Sequence, residues 1–155
     1  MLLIVNFLLS VQTTFLIPMA THSLVSDTVL PNKAELRIEI AGIEKPNGQV
    51  LVALYDRKTA FLDPQKAHSL KVLPIENKGG LSLSLGALPV GEYAFACFHD
   101  LNNNGKLDKN LLGVPTEPYG FSNNARPKFR APSWEEAKFA LPQGGQVVTL
   151  RLERW

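Results

Sequence analysis

The sequence predicts an all-β protein: a single antiparallel β-sandwich of about seven strands, immunoglobulin-like or transthyretin-like. Three observations carry that expectation. Pro and Gly number 11 each in 155 residues, and the short runs between such breakers suit strands better than helices. Several runs alternate apolar and polar residues with period two, the pattern of a strand with one face on a core and one in water. Strands do not alternate with helix-length segments, so a doubly wound parallel sheet is not expected.

Residues 1–26 contain no Asp, Glu, Lys or Arg, and the run from Leu2 to Leu9 is apolar except for Asn6. This is the form of a secretory signal peptide, with the small residues Ala20 and Ser23 near the expected cleavage point. No Lys or Arg follows the initiator Met, and no Ala-x-Ala sequence marks the cut. A retained anchor is the rival reading, but its core is short and broken, whereas a span wants about 20 apolar residues. Residues 27–33 then form a linker and 34–155 the β-domain. The mature chain is expected in the periplasm or outside the cell, with no transmembrane span after cleavage.

In the body of the chain, residues 34–40 alternate without a fault: Leu36, Ile38 and Ile40 point one way, Glu35, Arg37 and Glu39 the other. Pro46-Asn47-Gly48 is a turn, and residues 49–55 form a near-continuous apolar strand that suits a central position. The two are expected to pair as an antiparallel hairpin. Residues 56–69 read as a loop or short helix. A weak strand over 70–76 carries Pro74 and belongs at an edge. Gly79-Gly80 leads into the alternating Leu81-Ser82-Leu83-Ser84-Leu85, and after a turn residues 92–98 form an interior strand. A long Asn/Gly/Pro-rich loop follows over 100–132. Ser133-Trp134-Glu135-Glu136 has the form of a capping box, predicting one turn of helix near 133–137. Strands over 137–141 and 146–152, joined by Pro142-Gln143-Gly144-Gly145, close the domain.

Sixteen basic side chains stand against 14 acidic ones, a net charge of +2. That balance builds no strong field for nucleic acid or an anionic membrane. The densest basic group, Arg126, Lys128 and Arg130, lies in the Pro- and Asn-rich loop and reads as a solvated surface. The lone Cys97 cannot form an internal disulfide and reads as buried and inert.

One stretch has chemistry in it. Asp100, Asn102 and Asn104 are spaced two apart, Gly105 follows at once, and Asp108 arrives four residues after Asn104. A hard cation such as calcium takes six to eight oxygens at about 2.3–2.6 Å. Alternate side-chain oxygens, a glycine for the bend, the Lys106 carbonyl and Asp108 would supply a partial shell. Leu111 stands where an EF-hand loop has its bidentate Glu, and the flanks are not helices, so this is not an EF-hand. With two carboxylates, an affinity of about 10⁻⁴–10⁻³ M is expected. A metal-free, Asx-rich turn fits the same residues equally well, because Asn, Asp and Gly serve tight loops in any case.

His99 and Cys97 share strand parity, and at about 6–7 Å between backbones they are not obviously paired. His99 and Asp100 point to opposite faces. His68 lies in a loop without evident partners. No Gly-x-Ser-x-Gly, His-Glu-x-x-His or phosphate-cradling glycine loop occurs. The run Tyr119-Gly120-Phe121-Ser122-Asn123-Asn124 reads in two ways. Its aromatics pin the long loop to the sandwich, or with Arg126 and Trp134 they form a platform for a glycan or peptide.

Three separated motifs then carry a family resemblance: Phe98-His99-Asp100-x-Asn102-x-Asn104-Gly105-Lys106-Leu107-Asp108; Leu112-Gly113-Val114-Pro115 with Glu117-Pro118-Tyr119-Gly120-Phe121-Ser122-Asn123-Asn124-Ala125; and Pro132-Ser133-Trp134-Glu135-Glu136-Ala137-Lys138-Phe139. In this order they resemble the bacterial family catalogued as domain of unknown function 2141, over roughly Leu36 to the C-terminus. The resemblance implies export from a Gram-negative cell and a β-domain, and supplies no catalytic residue. The leading functional expectation is a non-enzymatic binding module with a calcium-stabilised loop and a protein or glycan partner. The rivals are a small-molecule or glycan binder using Tyr119, Phe121, Arg126 and Trp134, and a hydrolase using His99 with Asp100 or Asp108.

Overall fold

The computed structural model describes residues 32–154. The expected signal peptide (1–26) and residues 27–31 of the linker lie outside the described residues. Eight strands are present: β1 (Lys33–Ile43), β2 (Gln49–Tyr55), β3 (Ser69–Pro74), β4 (Gly79–Pro89), β5 (Gly91–Asp100), β6 (Tyr119–Phe121), β7 (Phe139–Leu141) and β8 (Gln146–Arg151). Among the described residues one α-helical turn, α1, covers Trp134–Ala137, and short 3-10 turns lie at Lys58–Ala60, Pro64–Lys66 and Ser122–Asn124. The strand beyond the seven expected is β6, three residues inside the stretch read as irregular.

The strands form two sheets. One has the order β4-β1-β8; the other has the order β3-β2-β5-β6, with β7 also paired to β5. All pairings are antiparallel except β1 with β8, which run parallel from Leu36↔Gln146 to Ala41↔Arg151. The expectation of an antiparallel set is corrected at that pair. The strand order lends no support to an immunoglobulin-like or a transthyretin-like type.

The expected β1–β2 hairpin does not form. β1 pairs with β4 and β8, whereas β2 pairs with β3 and β5. The physical reason lies in their faces. β1 buries Ala34, Leu36, Ile38 and Ile40 while the residues between them are exposed; β2 is buried at Val50 through Tyr55, on both faces. Directly opposed residues share a face of the sheet, so a one-sided strand and a two-sided strand want different neighbours. β8 alternates like β1, and β5 is largely buried like β2. The interior place of β2, the interior place of β5 and the edge place of β3 agree with the sequence reading.

One core cluster draws on both sheets. Leu36, Ile38 and Ile40 of β1 and Val148 and Leu150 of β8 join Val50, Val52 and Leu54 of β2 and Phe95 and Cys97 of β5. The Cys97 thiol is buried within it, and burial pushes its pKa well above the ordinary value, which leaves it unreactive. A second cluster lies on the other face of β2 and β5. There Ala53, Tyr55 and Ala94 meet Ala60, Trp134 and Ala137, and Phe61 stands edge-on to both Tyr55 (5.5 Å) and Trp134 (5.8 Å).

The capping box at α1 is present: the Ser133 backbone N–H and hydroxyl both donate to Glu136, at 2.7 and 2.8 Å. Arg130 grips the same carboxylate with two bonds of 2.7 Å. The Arg130 bond first, then those from Ser133, hold the Glu136 pKa down to about 2. Ser122, fully buried, ties this region to the sheet: its oxygen accepts from Phe95 N (3.0 Å) and donates to Ala137 O (2.6 Å). Among the described residues no helix is long and apolar enough to cross a membrane.

Candidate functional site

The candidate loop is launched from a fixed point. Asp100 ends β5, opposite Gln49 at the start of β2, and is fully buried. Its Oδ2 accepts from Gln49 Nε2 (2.8 Å) and from Gly105 N (2.7 Å), and its Oδ1 accepts from Asn104 N (3.1 Å). Burial pushes this carboxyl's pKa up, but the bonds from Gln49, Gly105, Asn104 and Asn103 together outweigh it and hold the group below the ordinary carboxylate value.

The other side chains of the motif gather over this anchor. Asn102 Oδ1 accepts from Asn104 N (3.2 Å), and Asn104 Oδ1 accepts from Lys106 N (2.8 Å). The two amide groups then converge on Asp108: Asn102 Nδ2 donates to Oδ2 (2.8 Å) and Asn104 Nδ2 to Oδ1 (2.9 Å). Asn103 and Gly105 take the left-handed backbone that the bend requires. Asp100, Asn102, Asn104 and Asp108 are therefore brought together in one hydrogen-bonded loop. Lys106 joins them through its backbone N–H, and its side chain is not among the bonded groups.

Sequence reasoning missed Glu117. It is 4% exposed, and its carboxylate bridges the two ends of the loop, Oε1 accepting from Leu101 N (2.8 Å) and Oε2 from Asp108 N (3.0 Å). The turn before β2 closes the assembly from the other side. Asn47 Nδ2 donates to Leu101 O (3.1 Å), and His99 Nε2 lies 2.7 Å from Asn47 O. Among the described residues no group of three or more His, Cys, Asp or Glu side chains is arranged to hold a metal. Any cation here would depend on the Asn oxygens as well as the two Asp carboxylates.

His99 is fully buried and its Nδ1 has no partner. It faces a backbone carbonyl, not the carboxylate in a pocket that the hydrolase reading requires. His68 does have a partner, contrary to the sequence reading: its Nδ1 lies 3.1 Å from Asp56 Oδ2. The residues lie 12 apart in sequence, and the intervening loop, which no periodicity describes, folds back to join them.

Of the expected ligand-binding set, three residues come together and one does not. Tyr119 and Phe121 form β6 and stand edge-on at 5.8 Å. The Arg126 guanidinium stacks 4.8 Å from the Tyr119 ring centre and donates to Tyr119 O (2.9 Å). Trp134 instead is 6% exposed, inside the second cluster with Phe61. The capping box places it on the first helical residue, where packing on β2 and β5 claims the indole. Two cavities adjoin β6: one of about 340 Å³ beside Arg126, Arg151 and Glu153, and one of about 430 Å³ between β6 and the segments around 107–115 and 129–131.

The family described as "Uncharacterized protein conserved in bacteria" (DUF2141) has a model that matches residues 38–149. The chain belongs to this family. The match runs from Ile38 in β1 to Thr149 in β8, so the DUF2141 region takes in both sheets, the 100–108 loop, Glu117 and α1. No curated protein and no solved structure matches the chain.

Proposed function

We propose that this DUF2141 protein is an exported, non-enzymatic β-sandwich module of the periplasm or cell exterior. In this reading its 100–108 loop takes up calcium, and it binds a partner through the long connection that the loop organises. Export rests on the charge-free residues 1–26 with their apolar run. The sandwich reading rests on the single core cluster to which both sheets contribute. The calcium reading rests above all on one observation: Asp100, Asn102, Asn104 and Asp108 gather their side chains in one short loop. To ligate a cation, Asn102 and Asn104 release Asp108 and turn their carbonyl oxygens from the Asn104 and Lys106 N–H groups toward the ion. Asp108, freed from those amides, then adds its carboxylate to a shell of hard oxygens of the kind calcium prefers.

The test is a thermal melt of the full chain in calcium against chelator. With calcium at about ten to a hundred times its dissociation constant, mass action adds roughly 1.4–2.7 kcal/mol. A rise of about 4–10 °C in the midpoint is therefore expected. Asp108→Asn should remove the calcium-dependent part of the shift and leave the melt in chelator close to that of the parent. An unchanged midpoint at about 10 mM calcium, ten times the upper end of the expected dissociation constant, would overturn the calcium reading, as would an equal shift in Asp108→Asn.

A further inference from the structure

The strand register exposes a pattern on the sheet face turned away from the main core. Two rows of directly opposed residues cross it. Val72, Leu51, Phe98 and Tyr119 form one row; Leu70, Ala53, Ala96 and Phe121 form the next. All eight are apolar or aromatic. A sheet face with water beside it alternates with polar residues, so this face is built to be covered. Trp134 and Phe61 cover the part around Ala53. Leu70 and Val72 at the β3 edge are about half exposed. At the β6 end, where Tyr119 is itself buried, a cavity of about 430 Å³ opens beside Tyr119 and Phe121.

The cavity has an apolar wall and cationic charge. Leu112, Val114 and Phe129 line it, and Leu112 and Phe129 are 87% and 88% exposed. Its charged lining residues are Lys109 and Arg130, and no carboxylate lines it. Arg130 is already neutralised by Glu136 outside the cavity. Among the described residues Lys109 has no carboxylate partner. One uncompensated positive charge beside an apolar slot of this size is complementary to one small molecule with an apolar body and a single acidic group.

We propose that this cavity binds a free, single-chain amphiphile carrying one acidic head group, its chain against Tyr119, Phe121 and Val114 and its head at Lys109. The proposal deepens the binding-module reading by naming the ligand class. Its link to the 100–108 loop is direct. Lys109 bridges to Pro115, Thr116 N donates to Asp108 O (2.9 Å), and Asp108 is held by Glu117. The arm that forms the cavity wall therefore springs from the last residue of the loop.

The experiment is isothermal titration of the full chain with sodium decanoate, below its aggregation threshold, in low calcium and again in chelator. Decyltrimethylammonium and phosphatidylglycerol vesicles serve as the opposite charge and the bilayer source. Saturable one-to-one binding of decanoate is expected, about tenfold or more tighter than the cationic amphiphile. Lys109→Glu, at an exposed site, should weaken decanoate about tenfold. Val114→Trp should fill the slot and abolish binding, with an unaltered melt confirming that it folds. Equal affinity for both amphiphiles, parental binding by Lys109→Glu, or capture by vesicles without saturable decanoate binding would overturn the proposal. A calcium-dependent melt without decanoate binding removes the amphiphile and leaves the calcium reading standing. Decanoate binding without any calcium shift does the reverse.

Discussion

Asp100→Ala should lower the thermal midpoint of the protein by about 10 °C in chelator, where no cation contributes. The carboxylate is fully buried and accepts from Gln49 Nε2, Gly105 N and Asn104 N. Hydrogen bonds to a charged group contribute about 1.5–3 kcal/mol each, and a buried donor left without a partner costs about 1–3 kcal/mol. Water entering the vacated space will satisfy part of the debt, so a net loss of roughly 3–4 kcal/mol is expected. Calcium should not rescue the variant, because its loop has lost both its anchor and a carboxylate ligand. A midpoint within about 2 °C of the parent would mean that the loop carries none of the domain's stability.

Gly48→Ala is expected to be nearly as damaging, and for a reason on the opposite side of the same assembly. Gly48 has φ +80, in the left-handed region. A Cβ there would overlap the backbone oxygen of Asp100 and stand 2.9 Å from Leu101 Cα. Both are backbone atoms, so no side-chain rotation relieves the clash. Left-handed strain of about 1–2 kcal/mol adds to an overpacking cost of about 1–3 kcal/mol. Gly79→Ala is the control: its φ is +106, but nothing lies within 4 Å of the added carbon. Denaturant unfolding should show the Gly48 variant losing roughly 3 kcal/mol and the Gly79 variant only about 1–2 kcal/mol. Equal losses at the two positions would show that close packing of the 46–48 turn on the loop has no energetic consequence.

Much of the architecture can be seen in the residue pattern, and its gaps have physical causes. The alternation in β1 and the continuous apolar run of β2 place each strand correctly in its environment. Taken together they also sort the strands, since β1 and β8 alternate while β2 and β5 are covered on both faces. The hairpin expectation failed because turn residues such as Pro46-Asn47-Gly48 report that the chain bends, not whether it returns to the same sheet. β6 escaped notice because three residues make no period. Pairing with β5 and the bridge from Tyr119 to Glu153 hold it, and Gly120 permits the close approach to β8: a Cβ there would come within 2.8 Å of Leu150 Cδ1 and 3.0 Å of Arg151 O.

In the candidate site, the spacing of Asp100, Asn102, Asn104 and Asp108 was enough to bring those side chains together, because each acts within a few residues of itself. Glu117 was not legible in this way, since its bond to Leu101 N spans 16 residues. One signal existed: it is the sole carboxylate between Asp108 and Glu135, in a stretch where a lone acid needs a reason. Trp134 shows the reverse failure. Its helical turn followed from the capping box, but the face that the indole meets depends on β2, β5 and Phe61, which no local pattern encodes.

The most direct measurement is a calcium titration followed by the backbone amide resonances of the isotopically labelled protein. Saturable shifts that fit one dissociation constant are expected at the amides of Leu101, Asn104, Gly105, Lys106 and Asp108, whose hydrogen bonds all run to the clustered carboxylates and amides. Glu39 in β1 and Glu92 at the opposite end of β5 from Asp100 should stay unmoved. Loop amides that do not move at millimolar calcium, or small unsaturated shifts spread evenly over the acidic residues, would contradict the account.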